Sequence, residues 1–245
     1  MQQRTLSVGA AAATLAPLWG ENVVLAFVAG YVDTLGFVAL FGLFTAHVTG
    51  NFILIGSGLA GAGSGLLIKW LAFPAFVAGI VVARVFDDAL RTQSHGTRVG
   101  GLYTLQIALL AAFMVAGVFA APITNADAPL TIACGLLGAA GMGVQNAHAR
   151  LTARSVVANT VMTGNVTQAV IDAFDLLAPH RRHAAHAARA EARERLARTL
   201  PPVLAFALGA GGGALGWLTA SFWALVVPLV LLGALAACAW RAAAN

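Results

Sequence analysis

Charge is what this chain has least of. Only 9% of its 245 residues are charged, against 60% hydrophobic, whereas a soluble domain carries about a quarter of its residues charged. Such a composition belongs to an integral membrane protein. Nearly every stretch between the charged loops is long enough to span, which leaves no room for a separate soluble domain. Thiols are equally sparse. Cys134 and Cys238 both sit in apolar segments without metal-ligand spacing, and read as small packing residues rather than a disulfide or a metal site. Catalytic signatures are missing altogether: there is no nucleophile elbow, no H-E-x-x-H, no phosphate-binding glycine loop and no thiol pair. Neither enzyme chemistry nor a cofactor is expected. The net charge of +5 does not point to nucleic acid, because the arginines fall in loops between apolar segments, where membrane topology accounts for them. The expected partners are membrane lipids.

Residues 1–20 read as a cytoplasmic tail or surface helix, since the apolar part is too weak for a signal peptide and another apolar segment follows at once. Apolar stretches then occupy residues 23–44, 45–59, 70–86, 102–123, 130–147, 156–177, 200–217 and 222–240. A span needs about 20 apolar residues. Six of the stretches qualify, while 45–59 and 156–177 are doubtful. Trp19, Trp70, Trp217, Trp223 and Trp240 fall at segment ends, as rings at the headgroup level do.

The two doubtful stretches share a polar tripeptide, Thr49-Gly50-Asn51 and Thr163-Gly164-Asn165. A polar side chain or broken backbone is tolerated in hydrocarbon only against protein or a water-filled cavity. A breaker repeated at matching places therefore marks a site. Gly30-Tyr31-Val32-Asp33 lies sixteen residues before Thr49, and Gly143-Val144-Gln145-Asn146 lies seventeen before Thr163; Phe76-x-x-Gly79 parallels Phe206-x-x-Gly209.

Charge decides the topology. If both tripeptide segments cross, the arginines of residues 87–98 and 179–198 fall on opposite sides. If neither crosses, all thirteen arginines lie with the N-terminus and only Lys69 lies opposite. Orientation follows Lys/Arg bias in short loops, so the second arrangement is expected. The expected fold is all-α and polytopic, a single transmembrane domain over residues 1–245. It has six crossings, two broken or re-entrant segments, both termini cytoplasmic, and a basic cytoplasmic loop at 179–198. Residues 21–123 and 129–241 then form an inverted pair, with a site near the midplane between them.

Taken together, Val28-Ala29-Gly30-Tyr31-Val32-Asp33, His47-Val48-Thr49-Gly50-Asn51, Gly141-Met142-Gly143-Val144-Gln145-Asn146-Ala147 and Met162-Thr163-Gly164-Asn165 resemble the YoaK family of bacterial inner-membrane proteins, a domain-of-unknown-function family. The resemblance runs from about Glu21 to Trp240. It implies a polytopic inner-membrane protein, with a transport role as one expectation and no established substrate.

Asp33 is the sharpest candidate. A carboxylate near the bilayer centre costs about 2.5–3.5 kcal/mol on insertion scales, so it must be paired, protonated, ion-bound, or hydrogen-bonded by a broken helix. Thr49, Asn51, Thr163 and Asn165 can cap helices that start inside the membrane, with Gly50 and Gly164 permitting the turn. Free N–H groups at such helix starts suit an anion or polar solute; helix packing is the competing account. Gln145 and Asn146 are neutral counterparts of the Asp33 region. His47 reads as a proton relay or a core histidine, and His148 as interfacial. Asp172 and Asp175 share a helical face and should pair with arginines of the following loop. His180, His183 and His186 have a three-residue spacing, but neighbouring Arg181 and Arg182 argue against a metal. These residues point to a transporter moving a small solute or ion. A channel with paired half-helices and a structural or regulatory membrane protein remain open, as does a homo-oligomer built through small-residue faces.

Overall fold

A long apolar segment in lipid can satisfy its backbone only within itself, as helix. The computed structural model describes residues 5–152, 159–160, 162–177 and 186–244, side chains of 5–19, 186 and 187 excepted. Among them every regular element is helical. α1 spans Thr5–Ala39, α2 Gly50–Leu59, α3 Leu66–Ala89 and α4 His95–Ala120; α5 spans Pro129–Thr152, α6 Thr163–Leu177, α7 His186–Ala220 and α8 Val226–Ala244. The apolar stretches long enough to cross a membrane are Gly20–Ala39, Leu66–Ala89, His95–Ala120, Pro129–Thr152 and Ala188–Ala244. A 3-10 turn over Ser221–Leu225 divides the last into α7 and α8.

Contacts between helices fix their directions. At one end the Arg98 guanidinium of α4 grips Asp87 of α3 with two bonds of 2.9 and 2.8 Å. There too Tyr103 of α4 donates to Glu21 of α1, and Gly96 of α4 lies against Ala239 and Ala243 of α8. At the other end Gly117 of α4 meets Phe222, Gly135 of α5 meets Ile68 of α3, and Lys69 of α3 donates to the Phe41 carbonyl just beyond α1. α1, α4 and α7 therefore run away from the first end, and α3, α5 and α8 run back to it. α1 ends and α3 begins at the same end, so α2 makes no net crossing. The same holds for α6 between α5 and α7 at the opposite end.

Glycines set the tightest packing. α1 and α7 run side by side, close enough that a Cβ on Gly30 would fall 2.1 Å from the Phe206 carbonyl oxygen and one on Gly209 2.1 Å from that of Phe27. α5 and α3 repeat the arrangement: a Cβ on Gly143 would sit 2.3 Å from the Phe76 oxygen, and one on Gly79 2.2 Å from that of Ala140. The two glycine motifs and the two Phe-x-x-Gly motifs are thus partners, each glycine motif seated on the Phe-x-x-Gly helix from the other half of the chain. Small residues let backbones approach where no hydrophobic force separates lipid from helix.

Several boundaries differ from expectation. α1 is one helix from Thr5, so residues 5–20 are not a separate element, and it stops at Ala39 instead of residue 44. Phe41 and Gly42 take left-handed φ values of 55° and 77° and turn the chain back. The expected basic loop is helical from His186 onward and continuous with α7 through Pro201 and Pro202. It is held there by Asp172 of α6, fully buried, which binds Arg195 at 2.9 Å as the acidic pair predicts. Asp175 also has a partner. His180, His183, Arg181, Arg182 and Arg154 lie outside the described residues, as does the His186 side chain. His148 is 2% exposed, enclosed by Tyr103 and Glu21. Cys134 is buried, Cys238 exposed, and both are free thiols.

Gly30→Ala and Gly143→Ala must each push apart a helix pair in backbone contact and should lower stability by about 1–3 kcal/mol. Gly211→Ala, with open space around its Cβ, should leave the melting temperature in detergent unchanged or slightly raised.

Candidate functional site

After the left-handed turn at Phe41 and Gly42, the chain re-enters the bundle beside α1. A segment that leaves helix inside an apolar interior must find partners for its backbone groups. Asp33 and Asn51 supply them. The Oδ1 atom of Asp33 accepts from the backbone N–H of Thr45 and of Ala46, both at 2.7 Å, and from the Thr45 hydroxyl at 3.3 Å. The Asn51 amide pairs with both backbone groups of Phe44, accepting its N–H at 2.9 Å and donating to its carbonyl at 2.8 Å. Asp33, Thr45 and Asn51 are all buried. Farther out, the Lys69 ammonium donates to the carbonyls of Phe41 and Ser64, collecting the ends of the return and of the link into α3.

This accounts for the buried carboxylate: Asp33 fastens a broken-helix segment, with hydrogen bonds to a charged group contributing about 1.5–3 kcal/mol each. Its second oxygen, Oδ2, lies 2.8 Å from Nδ1 of His47. The His47 side chain keeps 29% of its surface, and its Nε2 has no partner among the described residues. Asp33 therefore presents its charge through the imidazole rather than directly. With Nδ1–H donated to the carboxylate, Nε2 is an acceptor; protonated, it is a donor.

His47 opens on a cavity of about 670 Å³ whose wall includes Asp33, Thr49, Gly50 and Thr163, with Phe37, Phe44 and Phe206 as aromatic sides. The Phe206 ring stands edge-on to His47, centroids 5.3 Å apart. The two tripeptides thus meet at one space. α2 starts at Gly50 and runs toward the Lys69 end, its Phe52 on Phe73 and its Gly58 against Leu66. α6 starts at Thr163, and Met162 just before it packs with Ala26 and Ala205; ten residues on, Asp172 meets Arg195 near the opposite end. Both helices have their N-termini, with partial positive charge, inside the bundle; in α2 the N–H groups of Gly50, Asn51 and Phe52 donate to the carbonyls of His47, Val48 and Thr49 at 2.7, 3.1 and 3.2 Å.

The expected cap geometry is absent at the first tripeptide. The Thr49 side chain makes no cap hydrogen bond, and Asn51 is spent on Phe44, so the Thr49 hydroxyl is left to the cavity. At the second, Thr163 and Gly164 are exposed, and Asn165 is buried with its amide on the Met162 sulfur at 3.6 Å.

Gln145 and Asn146 do not line the cavity. Asn146 donates to the Thr160 hydroxyl at 2.7 Å, gripping the return before α6 as Asp33 grips the return before α2. Gln145 bridges helices, accepting from Gln106 at 2.7 Å and donating to the Leu25 carbonyl at 2.8 Å. Gln145 thus makes an interhelical contact, whereas Thr160, the partner of Asn146, lies outside the helices. Reading the sequence missed Gln106, Glu21 and Tyr103 as partners, since they carry no motif, and took Phe206 only as part of the Phe-x-x-Gly parallel.

The description "Protein of unknown function (DUF1275)" belongs to the family model that matches residues 22–238. The UPF0700 transmembrane protein YoaK of Bacillus subtilis (strain 168) is 25% identical over 150 residues, covering 61% of this chain. The chain spans 64% of that relative's length, just under two thirds. No solved structure matches. The match of the family model begins at the first turns of the α1 span, takes in both returns and the cavity between them, and ends within α8, and on that extent the chain is a multi-pass membrane protein belonging to the DUF1275 family.

Proposed function

We propose that the protein carries a small polar solute or ion across the bacterial inner membrane by alternating access at the cavity between α2 and α6. One observation carries this reading. The N-terminal ends of two short helices from different halves of the chain share a cavity with an imidazole that still has a free nitrogen. Discontinuous helices whose N-termini point at a midplane site between repeats are how several transporter folds hold their substrates. In this reading α1–α4 and α5–α8 are inverted repeats, supported by the matched glycine contacts and by the two returns gripped from Asp33 and Asn146.

The arginine-rich end is the cytoplasmic one. Arg84, Arg91, Arg98, Arg150 and Arg241 gather there with the start of α7, whereas Lys69 stands at the other end and is committed to carbonyls. By the positive-inside rule both termini are then cytoplasmic. His47, Thr49 and Thr163 contact the solute, while Asp33 holds His47 and the return in place.

Three measurements test this. Single cysteines at residues 92 and 188 in whole cells should both be blocked only by reagents that enter the cytoplasm, and one at 62 by impermeant reagent; opposite exposure of 92 and 188 would mean an extra crossing. Cysteines at 49 and 163 should join through a short bifunctional reagent, and failure of that pair and its neighbours would sink the shared site. In a thermal-shift screen of ions and metabolites, His47→Ala should lose the response to the stabilising ligand, with its own melting point lowered because Oδ2 of Asp33 loses its partner. Asp33→Ala, by stripping two buried N–H groups of their acceptor, should itself lose roughly 3 kcal/mol of stability.

A further inference from the structure

A second cavity, of about 700 Å³, lies between α1, α4, α5 and α8 at the arginine-rich end, walled in part by Glu21, Tyr103, Thr152, Val99, Leu235 and Ala239. Its chemistry is unlike its surroundings. Among the described residues no arginine or lysine pairs with Glu21, although Asp87 nearby is held by Arg98 and Arg84. The Glu21 carboxylate, 26% exposed, has as partners a phenol and an imidazole. Tyr103 donates its hydroxyl to it, and Nε2 of His148 stands 3.8 Å away.

The hydroxyl protons on this wall are already committed. Tyr103 gives its proton to Glu21, and Thr152 gives its own to the His148 carbonyl at 2.8 Å. Toward the cavity both hydroxyls are left as acceptors. Behind them, Nδ1 of His148 and Oδ1 of Asn22 are buried without a hydrogen-bond partner. An uncompensated carboxylate backed by acceptor-only hydroxyls calls for a ligand that brings both positive charge and N–H donors. The space is large for a bare ion and of the size that holds a small molecule. Val99, Leu235 and Ala239 make an apolar side to the wall, and Ser94 and His95 stand at the start of α4.

We propose that this cavity is a second ligand site, which binds a small organic ammonium ion with the charged end on Glu21 and the apolar body against Leu235 and Val99. The site is separate from the one between α2 and α6 and does not depend on which solute that one takes.

The test uses the purified full-length protein in detergent with butylammonium chloride as probe, against sodium chloride and sodium butyrate at equal ionic strength. Butylammonium should raise the melting temperature in a saturable way, and neither control should. In Glu21→Gln the apparent affinity should fall about tenfold or more, the scale of losing a charge-assisted hydrogen bond. Leu235→Trp, which fills the cavity and keeps the carboxylate, should lose the response as well, so the result survives if Glu21→Gln does not fold. An equal shift with sodium chloride, an unchanged affinity in Glu21→Gln, or no shift at any concentration would overturn the proposal.

Discussion

A chain that stops being helical inside a membrane must answer for every backbone group it exposes, and Asp33 is the group that makes the first return possible. Two N–H groups end on one carboxylate oxygen. Next to them the Asn51 amide imitates a peptide and closes both groups of Phe44. At the rim Lys69 takes up carbonyls from both sides of α2. A buried charge is costly, and a buried carboxylate persists where donors converge on it. Here the donors are the backbone itself, so cost and compensation belong to the same fold element. Remove the carboxylate and the return has no reason to stay inside; without the return, α2 could not start there.

That arrangement divides labour within the Asp33–His47 pair. The carboxylate has one oxygen spent on backbone and the other on Nδ1, so little of it is left for a passenger. The imidazole it orients is half-exposed and turns its other nitrogen to the cavity. A histidine fixed in this way has a defined tautomer when neutral and a defined donor when charged. In the proposed transport role it is the group of this pair that would exchange a proton or a hydrogen bond with the solute.

The sequence carried the fold wherever chemistry repeats or where charge is rare enough for one residue to matter. Thirteen arginines against one lysine set the number of crossings, and the helix directions agree. Gly30 and Gly143 could be read as counterparts, but not as knobs seated on Phe206 and Phe76, because spacing along a chain says nothing about which helices exchange between halves. Asp33 was visible as an anomaly. Its oxygens were not assignable, since a carboxylate that binds an ion and one that holds two peptides leave the same letter in the sequence. Glu21 and Tyr103 were illegible for a simpler reason: each is one polar residue at the edge of an apolar stretch, where snorkelling side chains are ordinary. The end of α1 at Ala39 was misplaced because residues 40–44 are as apolar as the helix before them, and only the left-handed pair at Phe41 and Gly42 breaks it.

The glycine contacts bear on which parts can move. α1 is in backbone contact with α7, and α5 with α3, so each half of the chain lends a helix to the other and neither half has a core of its own. Pairs in backbone contact resist sliding, because interiors packed at that density pass from one arrangement to another only in discrete steps. α2 and α6 are different. They are short, they start at the cavity, and one face of each is open, with Ile53 76% and Val170 62% exposed. They are also fastened unequally. The return before α2 is gripped by a charged carboxylate, and the return before α6 by a neutral amide on a hydroxyl. Hydrogen bonds to a charged group are worth about twice those between neutral ones. α6 has its charged fastening elsewhere, at the buried Asp172 on Arg195 of α7, so among the described residues one half-helix is pinned by a carboxylate at its start and the other by a carboxylate along its body.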